Sequence, residues 1–127
     1  MQKRSSKKIL AVLEDLFFRV KISDAAKRSG LDVEFVKAEQ DALAAAQADT
    51  PLLIILDLNC NGVNPLKLVG KLKGDSGLKQ ISVIAFVSHI QGELKQKAHE
   101  AGCDMVLARS AFSQNLPQIL KRHSGSV

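Results

Sequence analysis

Short aliphatic runs alternate along the chain with longer stretches in which apolar residues recur every three or four positions. Runs of strand length occupy Ile9–Leu13, Val33–Val36, Leu52–Leu56, Val83–Val87 and Met105–Ala108. The third, Leu-Leu-Ile-Ile-Leu, is apolar at both phases of a two-residue period, which predicts a strand covered on both faces. Helical spacing fills the intervals. Leu16–Ser29 places Phe18, Ile22, Ala25 and Ala26 on one stripe, with Gly30 as its stop. Glu39–Ala48 is rich in alanine, the strongest helix former, and ends ahead of Thr50-Pro51. Asn64-Pro65 has the form of an N-cap followed by proline in the first turn, opening Leu66–Lys73, which closes at Gly74. Gln91–Ala101 runs to Gly102, and a last helix is predicted from about Ser113 to Lys121, with Pro117 tolerated in or near its first turn.

Strand and helix thus alternate about five times. Strands joined by crossover helices are parallel and the crossovers right-handed, so the expected fold is α/β, a doubly wound five-stranded parallel sheet with helices on both faces, of flavodoxin-like type. At 127 residues this is a single domain, 1–127, with an ordered core over about 8–122 and basic tails at both ends. Hydrophobic residues at 46% and charged residues at 24% exclude a disordered chain. With five Phe, no Trp and no Tyr, the core must be largely aliphatic.

Charge changes this picture little. The net charge of +5 permits a polyanionic partner, but Lys3, Arg4, Lys7 and Lys8 crowd one terminus and Lys121, Arg122 and His123 the other, with the rest spread over helix faces. The phenylalanines sit among aliphatic residues and not between basic ones, which argues against a nucleic-acid module. Two cysteines, Cys60 and Cys103, make no disulfide framework, no signal-peptide series opens the sequence, and no apolar run approaches the roughly 20 residues of a membrane span. A cytoplasmic protein with no membrane partner is expected.

In doubly wound sheets ligands bind outside the carboxyl ends of the strands. Glu14 and Asp15 follow the first strand and Asp57 follows the third, so three carboxylates converge on one edge. Unit charges about 4 Å apart repel by roughly 4 kcal/mol at an effective dielectric of 20, and such a cluster calls for a raised pKa or a cation. Oxygen donors on a shallow site suit weakly bound Mg²⁺. Val87, Ser88 and His89 follow the fourth strand, Arg109 and Ser110 the fifth. An acidic cluster with a cation at its rim suits an anion bound through the metal, with phosphoryl the candidate; the plainer reading of Arg109 is a surface ion-pair partner for one of these carboxylates.

From Lys8 to Arg122 the chain resembles the receiver domain of bacterial two-component response regulators, in a degenerate or pseudo-receiver form. The resemblance is carried by the acidic pair Glu14-Asp15, by Asp57 closing Leu-Ile-Ile-Leu, by Gly102 ahead of the fifth strand and by the basic Arg109 behind it. It implies that Asp57 accepts a phosphoryl group from a histidine kinase or phosphotransfer protein and that Arg109 contacts the phosphate. It also implies that Glu14, Asp15, Asp57 and the main-chain carbonyl of Asn59 hold Mg²⁺, and that the signal leaves through a downstream protein partner or a homodimer. No enzymatic turnover is implied beyond self-phosphorylation and dephosphorylation at Asp57.

The departures from the family pattern are equally specific. Val87 stands where receivers carry a Ser or Thr, and Ser88 comes one residue late. Val106 takes the place of the switch aromatic, Arg109-Ser110 that of Lys-Pro, and Cys60-Asn61 that of Met-Pro. A second reading therefore stands beside the phosphoacceptor: a phosphorylation-independent interaction module. Ser88-His89 lacks a nucleophile elbow and makes no hydrolase. His99 and His123 read as solvated histidines, Cys60 as an inert thiol, and Leu16-Phe17-Phe18 as core and helix-start packing, with Phe17 a possible cover for the pocket.

Overall fold

The computed structural model describes residues 7–60, 63–88 and 92–123. Lys3 and Arg4, Asn61, His89, and Gln91 as a helix start lie outside the described residues. The elements run β1 (Lys8–Val12), α1 (Leu16–Arg28), β2 (Asp32–Val36), α2 (Glu39–Ala48), β3 (Leu53–Asp57), α3 (Pro65–Gly74), β4 (Ser82–Val87), α4 (Gly92–Ala101), β5 (Met105–Ala108) and α5 (Arg109–His123). All neighbouring strands are parallel, in the order β2-β1-β3-β4-β5. The doubly wound expectation holds, and the order reverses beside β1, where β1 continues outward to β2 and β3 begins the opposite direction.

Two apolar layers cover the sheet. Leu10, Val12, Ile54, Leu56, Val83, Ala85, Val87 and Val106 pack with α2, α3 and α4 on one face. Ile9, Ala11, Leu53, Ile55, Ile84 and Phe86 pack with α1 and α5 on the other. Every residue of β3 is buried, as its unbroken apolar run requires.

Local chemistry sets most element ends. Gly30 has φ +71°, and Gly30 N–H and Leu31 N–H donate to the carbonyls of Lys27 and Ala26, a Schellman closure of α1. Asn64 Oδ1 accepts from Lys67 N–H at 3.2 Å to cap α3 ahead of Pro65. The last helix departs from expectation: α5 begins at Arg109, directly after β5, and Pro117 lies inside it. A mid-helix proline removes one intrahelical hydrogen bond and costs about 3 kcal/mol. Here the burial of Phe112, Leu116, Ile119 and Leu120 on one stripe outweighs it, while Pro117 itself faces outward.

Candidate functional site

The carboxyl end of the sheet collects the candidate residues because register places it there. Val12 pairs with Leu56 and Asp57 with Phe86, while Phe86 pairs with Leu107, so the residues just after β1 and β5 are level with the end of β3. Glu14, Asp15, Asp57, Asn59 and Arg109 all emerge at this end.

Asp57 is the buried polar residue among the described residues, 5% exposed. Its Oδ1 accepts from Asn59 N–H at 2.8 Å, and its Oδ2 receives no hydrogen bond from the described residues. Desolvation pushes its carboxyl above the usual aspartate value; the Asn59 N–H and the Arg109 charge oppose the rise, and the charges of Asp15 and Glu14 add to it. Asp57 is therefore a carboxylate held at one oxygen, with the other available.

Asp15 does two jobs. Its Oδ1 accepts from Phe18 N–H at 3.1 Å and caps α1, while its Oδ2 accepts from Arg109 Nη2. That Arg109 bond, with the Phe18 N–H, draws the Asp15 carboxyl below its ordinary value despite partial burial. Arg109 also lies over an aromatic floor: its guanidinium carbon is 4.5 Å from the centroid of Phe18. Phe18 in turn packs against Phe86 at 5.0 Å and Phe112 at 6.0 Å, and Phe86 stacks on Phe112 at 4.7 Å. Glu14 is exposed and enters no ion pair among the described residues.

The sequence therefore brings the three carboxylates to one end, and the cation that the cluster calls for is Arg109, bound to Asp15. Among the described residues no three His, Cys, Asp or Glu side chains are arranged to hold a metal ion. The donor set of carboxylate and carbonyl oxygens fits a hard cation in kind. As arranged, both oxygens of Asp15 are committed to protein donors, so uncommitted carboxylate oxygen remains only on Glu14 and Asp57.

Ser88 N–H and Oγ both donate to Asn59 Oδ1, at 2.9 and 3.0 Å, tying the loop after β3 to the end of β4. Val87 and Val106 are each 4% exposed and lie in one apolar layer, on the face of the sheet opposite Phe86. Phe18 is core, but Leu16 and Phe17 are 70% and 67% exposed, a correction to their expected core role. Once Asp15 fixes the start of α1, helical rotation turns Phe18, Ile22 and Ala26 inward and Leu16, Phe17 and Val20 outward. Cys60 and Cys103 are buried, with the Cys103 thiol pushed up to about 11 by desolvation.

Sequence reasoning missed the Phe18 platform beneath Arg109, and allowed Arg109 an ion pair with one of the carboxylates without fixing Asp15 as the partner. Both join residues about ninety positions apart, and only the parity of inward-facing positions could have placed Phe18 and Phe112 in the same layer.

The model of the response regulator receiver domain family matches residues 9–121. The polar-differentiation response regulator DivK of Brucella ovis is 24% identical over 121 residues, covering 94% of this chain and 98% of DivK. The phosphorylated cyanobacterial phytochrome response regulator RcpA superposes with a TM-score of 0.77 at 24% identity, over 93% of this chain and 91% of RcpA. The Mn(2+)-bound form of response regulator Rcp1 gives 0.71 at 21% identity, over 91% and 89%.

Proposed function

The chain belongs to the response regulator receiver domain family, and from that premise we propose that it is a phosphoacceptor whose Asp57 takes a phosphoryl group from a histidine kinase or phosphotransfer protein. The observation that carries this reading is the state of Asp57: buried at the end of β3, pinned at Oδ1 by Asn59 N–H, and open at Oδ2. Oδ2 attacks the phosphorus of a phosphohistidine, the phosphorus–nitrogen bond breaks, and the leaving imidazole takes up a proton from solvent, which leaves an aspartyl phosphate. Fixing Oδ1 orients the attacking lone pair, and the desolvated setting raises the basicity of the carboxylate. Arg109 lies near enough to act on Asp57 electrostatically and contacts the phosphoryl oxygens after transfer. Glu14, Asp15, Asp57 and the main-chain carbonyl of Asn59 would hold Mg²⁺, which when bound neutralises charge on those oxygens. Beyond self-phosphorylation and dephosphorylation at Asp57 there is no turnover, and the signal leaves through a protein partner or a second copy of the chain. No helix among the described residues is long and apolar enough to cross a membrane.

A second reading, a phosphorylation-independent interaction module, is favoured by Val87 and Val106, which offer neither a hydroxyl to the phosphoryl group nor a mobile aromatic. Treatment with Mg²⁺ and a small phosphodonor, read by intact mass, decides between them. The phosphoacceptor reading expects addition of one phosphoryl group, absent from Asp57→Asn. An unmodified wild-type protein supports the module.

A further inference from the structure

Ser88 brings a hydroxyl one residue past the position where Val87 has none, and the structure shows where that hydroxyl goes. Ser88 directly follows β4, a strand held between β3 and β5, with Val87 buried and paired with Ala108. Its N–H and Oγ both donate to Asn59 Oδ1, at 2.9 and 3.0 Å. Two donors converging on one atom of an amide identify it as the oxygen, and the single hydroxyl hydrogen of Ser88 is spent there. Asn59 itself is exposed, in the turn after β3, so burial does nothing to hold it. Leu58, one residue earlier, is tied to β4 by its N–H on the Phe86 carbonyl at 2.9 Å, and Cys60, one residue later, donates to the Asp57 carbonyl at 3.1 Å. Among the described residues Asn59 is tied to β4 through its side chain, across 29 residues, while its own N–H donates to Asp57 Oδ1 at 2.8 Å. It thus faces two ways: its side chain is fixed by the end of one strand, and its N–H fixes the carboxylate at the end of the next.

We propose that Ser88 is a positioning residue for phosphoryl uptake, clamping the Asn59 side chain and so holding the N–H that orients Asp57. The proposal rests on the phosphoacceptor reading above and extends it to a residue outside the reacting atoms. A carboxylate free to rotate presents its lone pairs over a wide range of angles. One pinned at Oδ1 presents Oδ2 over a narrow range, and the rate of transfer follows the fraction of time spent aligned. Ser88 therefore does not stand in for a hydroxyl on the phosphoryl group. It acts on the carboxylate before transfer, through Asn59 alone.

Uptake from phosphoramidate with Mg²⁺, followed by intact mass over a range of donor concentrations, separates donor binding from transfer. Ser88→Ala keeps the N–H bond and loses the hydroxyl; it should lower the maximal rate about threefold and leave the half-saturating donor concentration unchanged. Ser88→Thr keeps a hydroxyl and should restore the rate. Asn59→Ala loses both bonds but keeps the main-chain N–H and carbonyl, and should lower the rate about tenfold. Adding Ser88→Ala to Asn59→Ala should then cost nothing more, because the clamp has no second route to Asp57. A measurement independent of transfer is hydrogen exchange at the Asn59 amide in the metal-free protein, which should quicken about threefold in Ser88→Ala. Additive losses in the double variant would overturn the clamp by giving Ser88 a role apart from Asn59. So would a shifted half-saturation at an unchanged maximal rate, or Asn59 exchange equal in the two proteins. Uptake that ignores Ser88 overturns the positioning role alone, whereas a wild-type protein that takes up no phosphoryl group overturns the phosphoacceptor reading and the positioning role with it.

Discussion

The two ends of the sheet handle buried and half-buried charge in opposite ways. At the amino ends of β4 and β5, Asp104 Oδ2 accepts from Val83 N–H at 2.7 Å and from Lys73 Nζ at 3.3 Å, and the same ammonium donates to the carbonyls of Ile81 at 2.7 Å and Lys79 at 3.1 Å. Every donor there has an acceptor, and the knot joins α3, β4 and β5. At the carboxyl end Asp57 is more deeply buried than Asp104, yet one of its oxygens goes without a protein donor, and like charges on Glu14 and Asp15 press on it. A saturated polar network fixes structure; an unsaturated one holds unfavourable energy that a ligand can relieve. The contrast predicts that substitutions at the first end lower stability alone, whereas at the second they exchange stability against binding.

The largest expected effect lies at the saturated end. Gly102 has φ +125°, and a Cβ built there would stand 2.5 Å from Lys73 Cγ, against the side chain that organises the knot. Gly102→Ala should destabilise by about 3 kcal/mol, through backbone strain and displacement of Lys73 together, and lower Tm by about 10 °C. Phosphoryl uptake measured well below the melting transition should be unchanged. Loss of uptake in a folded Gly102→Ala protein would break the separation of the two ends.

What the sequence disclosed follows the same division. Features set by neighbouring residues were legible: the all-buried β3 in Leu-Ile-Ile-Leu, the cap at Asn64-Pro65, the stops at Gly30 and Gly102, and the arrival of Glu14, Asp15 and Asp57 at one edge. Features set by distant partners were not. Pro117 argued for a late start to α5, and only the stripe of Phe112, Leu116, Ile119 and Leu120, packed on the same face of the sheet as residues far earlier, shows why the helix runs through it. The apolar Leu16 and Phe17 read as core, since nothing local fixes the helical phase until Asp15 is known to be the cap. That Arg109, a candidate ion-pair partner for any of the carboxylates, takes Asp15 in particular, across 94 residues, left no local trace.

A smaller effect is expected at Asp15, where two variants separate its roles. Asp15→Asn retains an N-cap acceptor and loses only the charge facing Arg109; Asp15→Ala loses both. Alanine should destabilise by about 1–2 kcal/mol and asparagine by about half as much, read by denaturant unfolding at pH 7. Because the fold lowers the Asp15 pKa, its charge contribution is fully present above the unfolded aspartate value and is lost as pH falls through the lower folded value. The deficit of Asp15→Asn should therefore shrink in acid. A deficit that persists unchanged at low pH would mean that the Arg109 pair contributes nothing to stability.

The stability effect of opposite sign belongs to Asp57. Burial raises its pKa, so between the unfolded value and the raised folded value the native state binds more protons than the unfolded state. Stability then falls as pH rises through that window and stays reduced above it. Asp57→Asn removes the titrating group while keeping an acceptor for Asn59 N–H, so it should be more stable than the wild type at pH 7 by about 1 kcal/mol, the scale of the desolvation that the wild-type charge bears. Its advantage should vanish below the window, where the wild-type carboxyl is protonated, whereas the deficit of Asp15→Asn closes from the other side. Urea titrations of the three proteins at pH 7, in mild acid and below the ordinary aspartate value read both slopes. A destabilised Asp57→Asn at pH 7 would show that Asp57 is held as firmly as Asp104, and the distinction between a saturated and an unsaturated end of the sheet would fall with it.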